Sequence, residues 1–238
     1  MASPAQSERE QQILALWEGA AGLDRWARDD ALLAGMGPPP AALGARNAAL
    51  LGLRGALFPR PWPLHSRCPR CGEACEFEAD ATALAEQLET LAGAEPATRL
   101  DWSGGRITLR APTADDLRQV ARLPEVQSAV RALLARCVSG EIALDTLDDA
   151  ALAELERRLE RLDPAALVGF ALRCPDCGEE WSAVVDVGNA LWAELQRAAE
   201  RALIAVDALA RAYGWTEDEV LRLSPTRRAA YMQLVAGS

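Results

Sequence analysis

Apolar residues recur every three to four positions through most of this chain and alternate with polar ones in only a few short stretches. That rhythm predicts helices first and strands second. The first helix is "QQILALWEGA", entered through a capping box built from Ser7 and Glu10. A second runs through "LDRWARDDALLAGM" and stops at "GPPP", because proline cannot continue a helix. A third covers "ARNAALLGLRGALF" and ends before Pro59. Further on, "ATALAEQLETLAG" is helical in pattern, and "TRLDWSGGRITLRAP" reads as a hairpin turning at Ser103, Gly104 and Gly105. Three more helices follow: "TADDLRQVARL" behind a Thr113 cap, "PEVQSAVRALLARC", and "DDAALAELERRLERL" with Glu156 and Glu160 facing Arg157 and Arg161.

The longest periodic run is C-terminal. Trp192, Leu195, Ala199, Ala202, Val206, Leu209 and Tyr213 are spaced by threes and fours across three heptads, the seam of a bundle or coiled-coil helix. Alanine at its centre lets another helix approach closely. That helix is either the chain's own N-terminal segment or a partner. Thr216 with Glu219 forms a second capping box, and Ser224 followed by Pro225 opens the closing helix "TRRAAYMQLVAG".

Alternation marks the other class of element. Trp181, Ala183 and Val185 define a strand after "RCPDCGE", and "PWPLHSRC", "EACEFEADA" and "LVGFALRC" are strand-like too. These strands flank two nearly identical heptapeptides about a hundred residues apart, "RCPRCGE" at 67–73 and "RCPDCGE" at 173–179. In C-P-x-C-G the first cysteine ends a strand, the turn aims backbone N–H groups at the thiolates, and glycine supplies the positive φ. Two such knuckles bring Cys68, Cys71, Cys174 and Cys177 together as a closed tetrahedral thiolate site, a zinc ribbon of two β-hairpins. Four thiolates also suit iron, so one zinc per chain is expected with iron left open. A redox C-x-x-C of the thioredoxin kind would open a helix, whereas a strand follows each motif here. Cys75 and Cys137 read as buried apolar fillers. His65, the only histidine, lies three residues before Cys68, but four cysteines already complete the set.

Composition narrows the partners. The chain has 238 residues, half of them hydrophobic, which supports a sizeable core without help from disulfides. Its net charge is −10, and all 25 basic residues are arginine. An acidic chain without a basic block is a poor binder of phosphate backbones, and the lack of lysine excludes Schiff-base and P-loop chemistry. No apolar run reaches the roughly 18 residues that span a bilayer. The opening "MASPAQSEREQQ" is unlike a secretion signal, which leads to the expectation of a reducing cytoplasm. The expected fold is α+β and mostly helical. Segment 1–60 is helical, 61–80 and 165–187 are the ribbon halves, 81–164 is an inserted hairpin with helices, and 188–238 is a C-terminal helical segment.

Several stretches, in this order, carry a family resemblance: "ILALWEGA", "ARNAALLGLRGALF", "CPRCGEACEFEAD", "ITLRAPTADDL", "LRCPDCGEEWSAVVDVGNALWAEL" and "LARAYGWTEDEVLRLSPTRRAAYMQLV". Together they resemble the T-even-type phage baseplate proteins of the hub assembly chaperone family, in the zinc-ribbon form found in contractile injection system clusters. The resemblance spans nearly the whole chain and is most specific over 212–235. It implies a non-enzymatic baseplate or hub assembly factor, whose partners are baseplate, hub and tail proteins of the same gene cluster. It leaves incorporation into the particle open. Asp207 stands where the family usually has a histidine, so no role attached to that histidine carries over, and the position of Cys75 is commonly aliphatic there. The residues themselves keep an alternative: a zinc-ribbon adaptor of nucleic-acid or transcription machinery, which the charge disfavours. Neither membrane nor small-molecule substrate is expected. The expected partner surface is Trp192, Tyr213, Trp215, Arg227, Arg228 and Tyr231, since aromatic and arginine side chains are the usual anchors of interfaces.

Overall fold

The computed structural model describes residues 4–92, 97–102, 105–140, 142 and 144–237. Among them the elements run α1 (Pro4–Ala20), α2 (Arg25–Leu33), α3 (Leu43–Leu57), β1 (Trp62–Arg67), β2 (Ala74–Ala79) and α4 (Ala81–Ala92). The chain continues through β3 (Ala97–Trp102), β4 (Gly105–Arg110), α5 (Ala114–Val120), α6 (Val126–Cys137), β5 (Val138–Gly140) and α7 (Asp149–Leu162). It closes with β6 (Val168–Arg173), β7 (Glu180–Val185), α8 (Val187–Tyr213), α9 (Glu217–Leu221) and α10 (Pro225–Ala236). The fold is therefore α+β and mostly helical, with small antiparallel sheets. No described helix is long and apolar enough to cross a membrane.

Two compact units divide the chain: Met1–Gly35 with Gly188–Ser238, and Met36–Val187. Their boundary falls inside the 1–60 segment, so α3 belongs to the same unit as the cysteine knuckles.

In the first unit the alanine seam of α8 meets the chain's own helices. Leu14 of α1 and Leu221 of α9 bury Ala199 and Ala202, with Trp17 and Val206 packed alongside. Small residues let these helices approach closely, so the middle of the seam is core. Ser7 is not a cap. The helix begins at Pro4, and the Ser7 hydroxyl, one turn inside, donates to the Leu221 carbonyl at 3.3 Å. Glu10 reaches Arg228 of α10 instead of its own backbone. At the start of α8, Asp29 packs so tightly on Gly188 that an added Cβ would lie 2.5 Å from a carboxylate oxygen.

In the second unit β3, β4 and β5 form one antiparallel sheet. Ile107 and Leu109 of β4 pack with Leu134 and Cys137 of α6 and with Leu152, Leu155 and Leu159 of α7. Ser103 and Gly104, assigned to the hairpin turn, lie outside the described residues. Thr113 caps α5 through a box closed by Asp116. Asp116 is itself buried, and it accepts both Arg110 guanidinium nitrogens at 2.5 and 2.9 Å and Arg136 Nε at 2.8 Å. On α7 the ion pairs centre on Glu154, which takes Arg157 at 2.8 Å and Arg158 at 2.6 Å. Arg157, Glu160 and Arg161 are exposed, as expected of a solvated helix face, and Glu154 lies one turn N-terminal to Arg157 and Arg158, the better polarity for a helix pair.

Candidate metal centre

Two separate hairpins carry the cysteines. β1 pairs with β2 from Trp62↔Ala79 to Arg67↔Ala74, and β6 pairs with β7 from Val168↔Val185 to Arg173↔Glu180. Each turn is built identically. Cys68 N–H donates to Glu73 C=O at 2.9 Å and Gly72 N–H to Cys68 C=O at 2.9 Å. The second knuckle repeats this with Cys174 to Glu179 at 2.8 Å and Gly178 to Cys174 at 3.1 Å. Gly72 and Gly178 sit at φ of 77° and 73°, where a side chain would be strained.

Helix α3 aligns the two hairpins. Near its C-terminus the buried Arg54 guanidinium donates to the carbonyls of Phe58, Arg60 and Pro61, which fixes the chain leading into β1. At its N-terminus Gly44 N–H donates to Asp163 at 2.8 Å, and Asn47 donates to Ala165 and Ala166 at 3.1 and 3.0 Å. Those last residues form the 3-10 turn Pro164–Ala166 that leads into β6. One helix thus holds the segments that precede β1 and β6, and between the hairpins Phe77 meets Phe170 with ring centroids 5.1 Å apart.

The result is a cluster in which the sulfurs of Cys68, Cys71, Cys174 and Cys177 all lie within 4.8 Å of one another. Cys68 to Cys177 and Cys71 to Cys174 are each 3.6 Å. A tetrahedron with metal–sulfur bonds of about 2.3 Å has edges of about 3.8 Å, so the sulfurs fit a four-coordinate ion. Backbone N–H groups of Cys177 and Asp176 bring the Cys174 thiol down to about 7 against its burial. Cys71 is pushed up to about 12: the Glu73 N–H lowers it, but desolvation and hydrogen bonds with Cys177, Cys174 and Cys68 outweigh that. Four thiols this close cannot all ionise unless a cation compensates them.

The neighbouring candidates fall outside the set. Cys75 is buried against Cys68 and Cys174, and burial raises its thiol. Cys137 lies in the α6–α7 core, where desolvation lifts its thiol to about 11. Both stay protonated. His65 is exposed on β1 opposite Glu76.

The residues expected to meet a partner are separated by the structure. Tyr213 and Trp215 stack at 4.9 Å, and Tyr231 sets its edge on both at 5.6 and 4.9 Å. Tyr213 is exposed, the other two half-buried. Trp192 is half-buried under the Arg28 guanidinium, 5.4 Å from its ring centre. Arg227 is exposed at the Ser224 cap of α10. Arg228 is not a surface group: it is buried, ion-paired to Glu10, and donates to the carbonyls of Leu221 and Leu223 at 3.3 Å. The sequence held no signal for the Glu10 pairing, which joins residues 218 positions apart.

The fold and site define a mostly helical α+β chain with a four-cysteine, two-knuckle cluster able to hold a metal ion. No protein-family model, curated protein or solved structure matches the chain.

Proposed function

We propose that this chain is a non-enzymatic assembly factor for the baseplate or hub of a phage-tail-like contractile injection particle, working in the cytoplasm, with one structural zinc. The observation that carries the non-enzymatic reading is the donor set. Four protein sulfurs fill a tetrahedral ion completely, whereas catalytic zinc sites keep one position for water or substrate. Zinc suits this role because it has no redox chemistry and takes four thiolates in structural sites. When bound, it would neutralise the thiolates and tie strands 103 residues apart in sequence.

A cavity lies beside the ribbon. This space of about 530 Å³ is lined by Arg54, Phe58, Glu78, Asp80 and Thr82, among others. Arg54 holds the loop into β1, and Asp80 accepts the N–H groups of Thr82 and Ala83 as the cap of α4. Arg54 and Asp80 are thus engaged in holding the fold. The docking surface we assign is the aromatic cluster Tyr213, Trp215 and Tyr231 with exposed Arg227 beside Ser224, since large aromatic and arginine groups dominate interface energetics. The baseplate assignment rests on the sequence resemblance, which is most specific over this same C-terminal region.

Affinity purification from cells expressing the surrounding gene cluster tests the proposal. Wild-type protein should bring down baseplate or hub proteins, and Arg227→Glu combined with Tyr213→Ala should lose them while remaining folded. Recovery of polymerase subunits, or salt-sensitive submicromolar binding to DNA, would favour the transcription-type adaptor instead.

A further inference from the structure

We infer that the four-cysteine centre is also a peroxide-responsive site, attacked first at Cys71 and closed by a Cys71–Cys174 disulfide that joins the two knuckles. This rests on the reading that the cluster holds a metal. The first observation is access. Cys71 is exposed and Cys177 half-buried, while Cys68 and Cys174 are each only 2% exposed. A hydroperoxide arriving from solvent therefore meets one sulfur first. The second is pairing. The two sulfur contacts at 3.6 Å, Cys71 with Cys174 and Cys68 with Cys177, both cross between hairpins. The thiolate set to resolve an oxidised Cys71 accordingly belongs to the other knuckle.

The chemistry balances in two steps. A metal-held Cys71 thiolate attacks the distal oxygen of a hydroperoxide, giving a sulfenic acid on Cys71 and releasing an alkoxide or hydroxide that takes up a proton. The Cys174 thiolate then attacks the sulfenic sulfur, forming the S–S bond and expelling hydroxide, so two thiolates lose two electrons to one peroxide. Disulfide formation removes two of four donors, and Cys68 with Cys177 alone cannot complete a tetrahedral site. A bound ion would then be lost, while the hairpins stay tied. A covalent cross-link spanning 103 residues replaces the metal cross-link at the same place in the fold.

Cys75 makes this sharp. It is a fifth thiol packed on Cys68 and Cys174, with its sulfur directed at the Glu73 carbonyl 3.8 Å away. If proximity to a buried ligand governed the outcome, Cys75 would resolve the site. If attack at exposed Cys71 governs it, Cys75 is a bystander.

The test uses full-length metal-loaded protein, with metal content measured first. Hydrogen peroxide is titrated in, released metal is read with a chromophoric chelator, and free thiols are alkylated before non-reducing digestion and fragment sequencing. We expect one metal released per disulfide, and peptides 71–99 and 174–197 joined through Cys71 and Cys174. The link should persist in Cys75→Ser and in Cys137→Ser. The oxidised protein should also melt above the reduced protein stripped by chelator. Disulfides within one knuckle, a link through Cys75, or metal retained while peroxide oxidises Cys71 would each overturn the inference. Absence of metal at the start would overturn the metal reading together with it, and is told apart because it precedes any oxidant.

Discussion

Replacing Arg228 with alanine removes a side chain that joins three helices near the chain's two ends. Its guanidinium bonds Glu10 of α1 at 2.5 Å and the carbonyls of Leu221 and Leu223 at 3.3 Å. A hydrogen bond to a charged group contributes about 1.5–3 kcal/mol. Breaking a fully buried pair costs roughly 3–5 kcal/mol because the remaining charge is stranded. Glu10 keeps 25% of its side chain exposed, so water can rehydrate it and the cost falls towards the lower figures. Arg228→Ala should therefore destabilise the first unit by about 2–3 kcal/mol. Arg227→Ala, one residue away but solvent-exposed, should stay within about 0.5 kcal/mol. Urea denaturation gives both values, and hydrogen exchange should show α10 amides losing protection in the Arg228 variant alone. A cycle with Glu10→Gln should reveal coupling of about 1–2 kcal/mol between the two positions. Equal losses at 227 and 228, or strict additivity with Glu10→Gln, would refute the buried ion pair.

Three further outcomes follow from the same geometry. Asp116 has its carboxyl held well below the usual carboxylate range by Arg110 first, with Thr113 and Arg136 adding to the effect against the cost of burial. Because the folded value is depressed, its stabilisation is complete above about pH 4 and fades as pH falls below that; Asp116→Asn should cost about 3 kcal/mol at neutral pH and flatten the acid limb of a melting-temperature profile. A Cβ at Gly44 would collide with Asp163 and Ala165, whereas one at Gly52 meets nothing within 4 Å. Thermal melts should thus show Gly44→Ala destabilising by about 1–3 kcal/mol and Gly52→Ala stabilising by about 0.5–1 kcal/mol. Cys174→Ser should lose the long-range tie, roughly 4–5 kcal/mol by the cross-link relation, while Cys137→Ser costs about 1–2 kcal/mol for burying a hydroxyl, and similar losses from the two would count against the metal site.

The knuckles were legible in the sequence because each is contiguous: two cysteines, a proline and a glycine fix the turn by local chemistry alone. That the two halves meet was an inference from repetition. What brings them together, Asp163 on Gly44 and Arg54 on the loop before β1, follows no local pattern and was invisible. Strand β5 escaped notice because three residues directly after a helix carry no alternation; it exists because Val138 and Ser139 pair with Leu109 and Thr108. Ser7 showed the limit of cap motifs. S-x-x-E stood before an apolar run, but the helix continues upstream to Pro4, so both side chains turned to distant partners. Nothing local in the sequence separates Arg227 from Arg228, since neighbours on a helix point about 100° apart and only packing decides which one faces inward. The alanine spacing puts the seam on one face of α8, and the structure fills its centre with α1 and α9 while Tyr213 at its end stays exposed.

Metal analysis of freshly purified full-length protein addresses the central claim most directly. Mass spectrometry of the elements should find one zinc per chain, and X-ray absorption should find four sulfur neighbours at about 2.3 Å. Cys68, Cys71, Cys174 and Cys177 should then resist a thiol reagent until a chelator is added. Protein without stoichiometric metal, and with those four thiols titrating freely, would contradict the account.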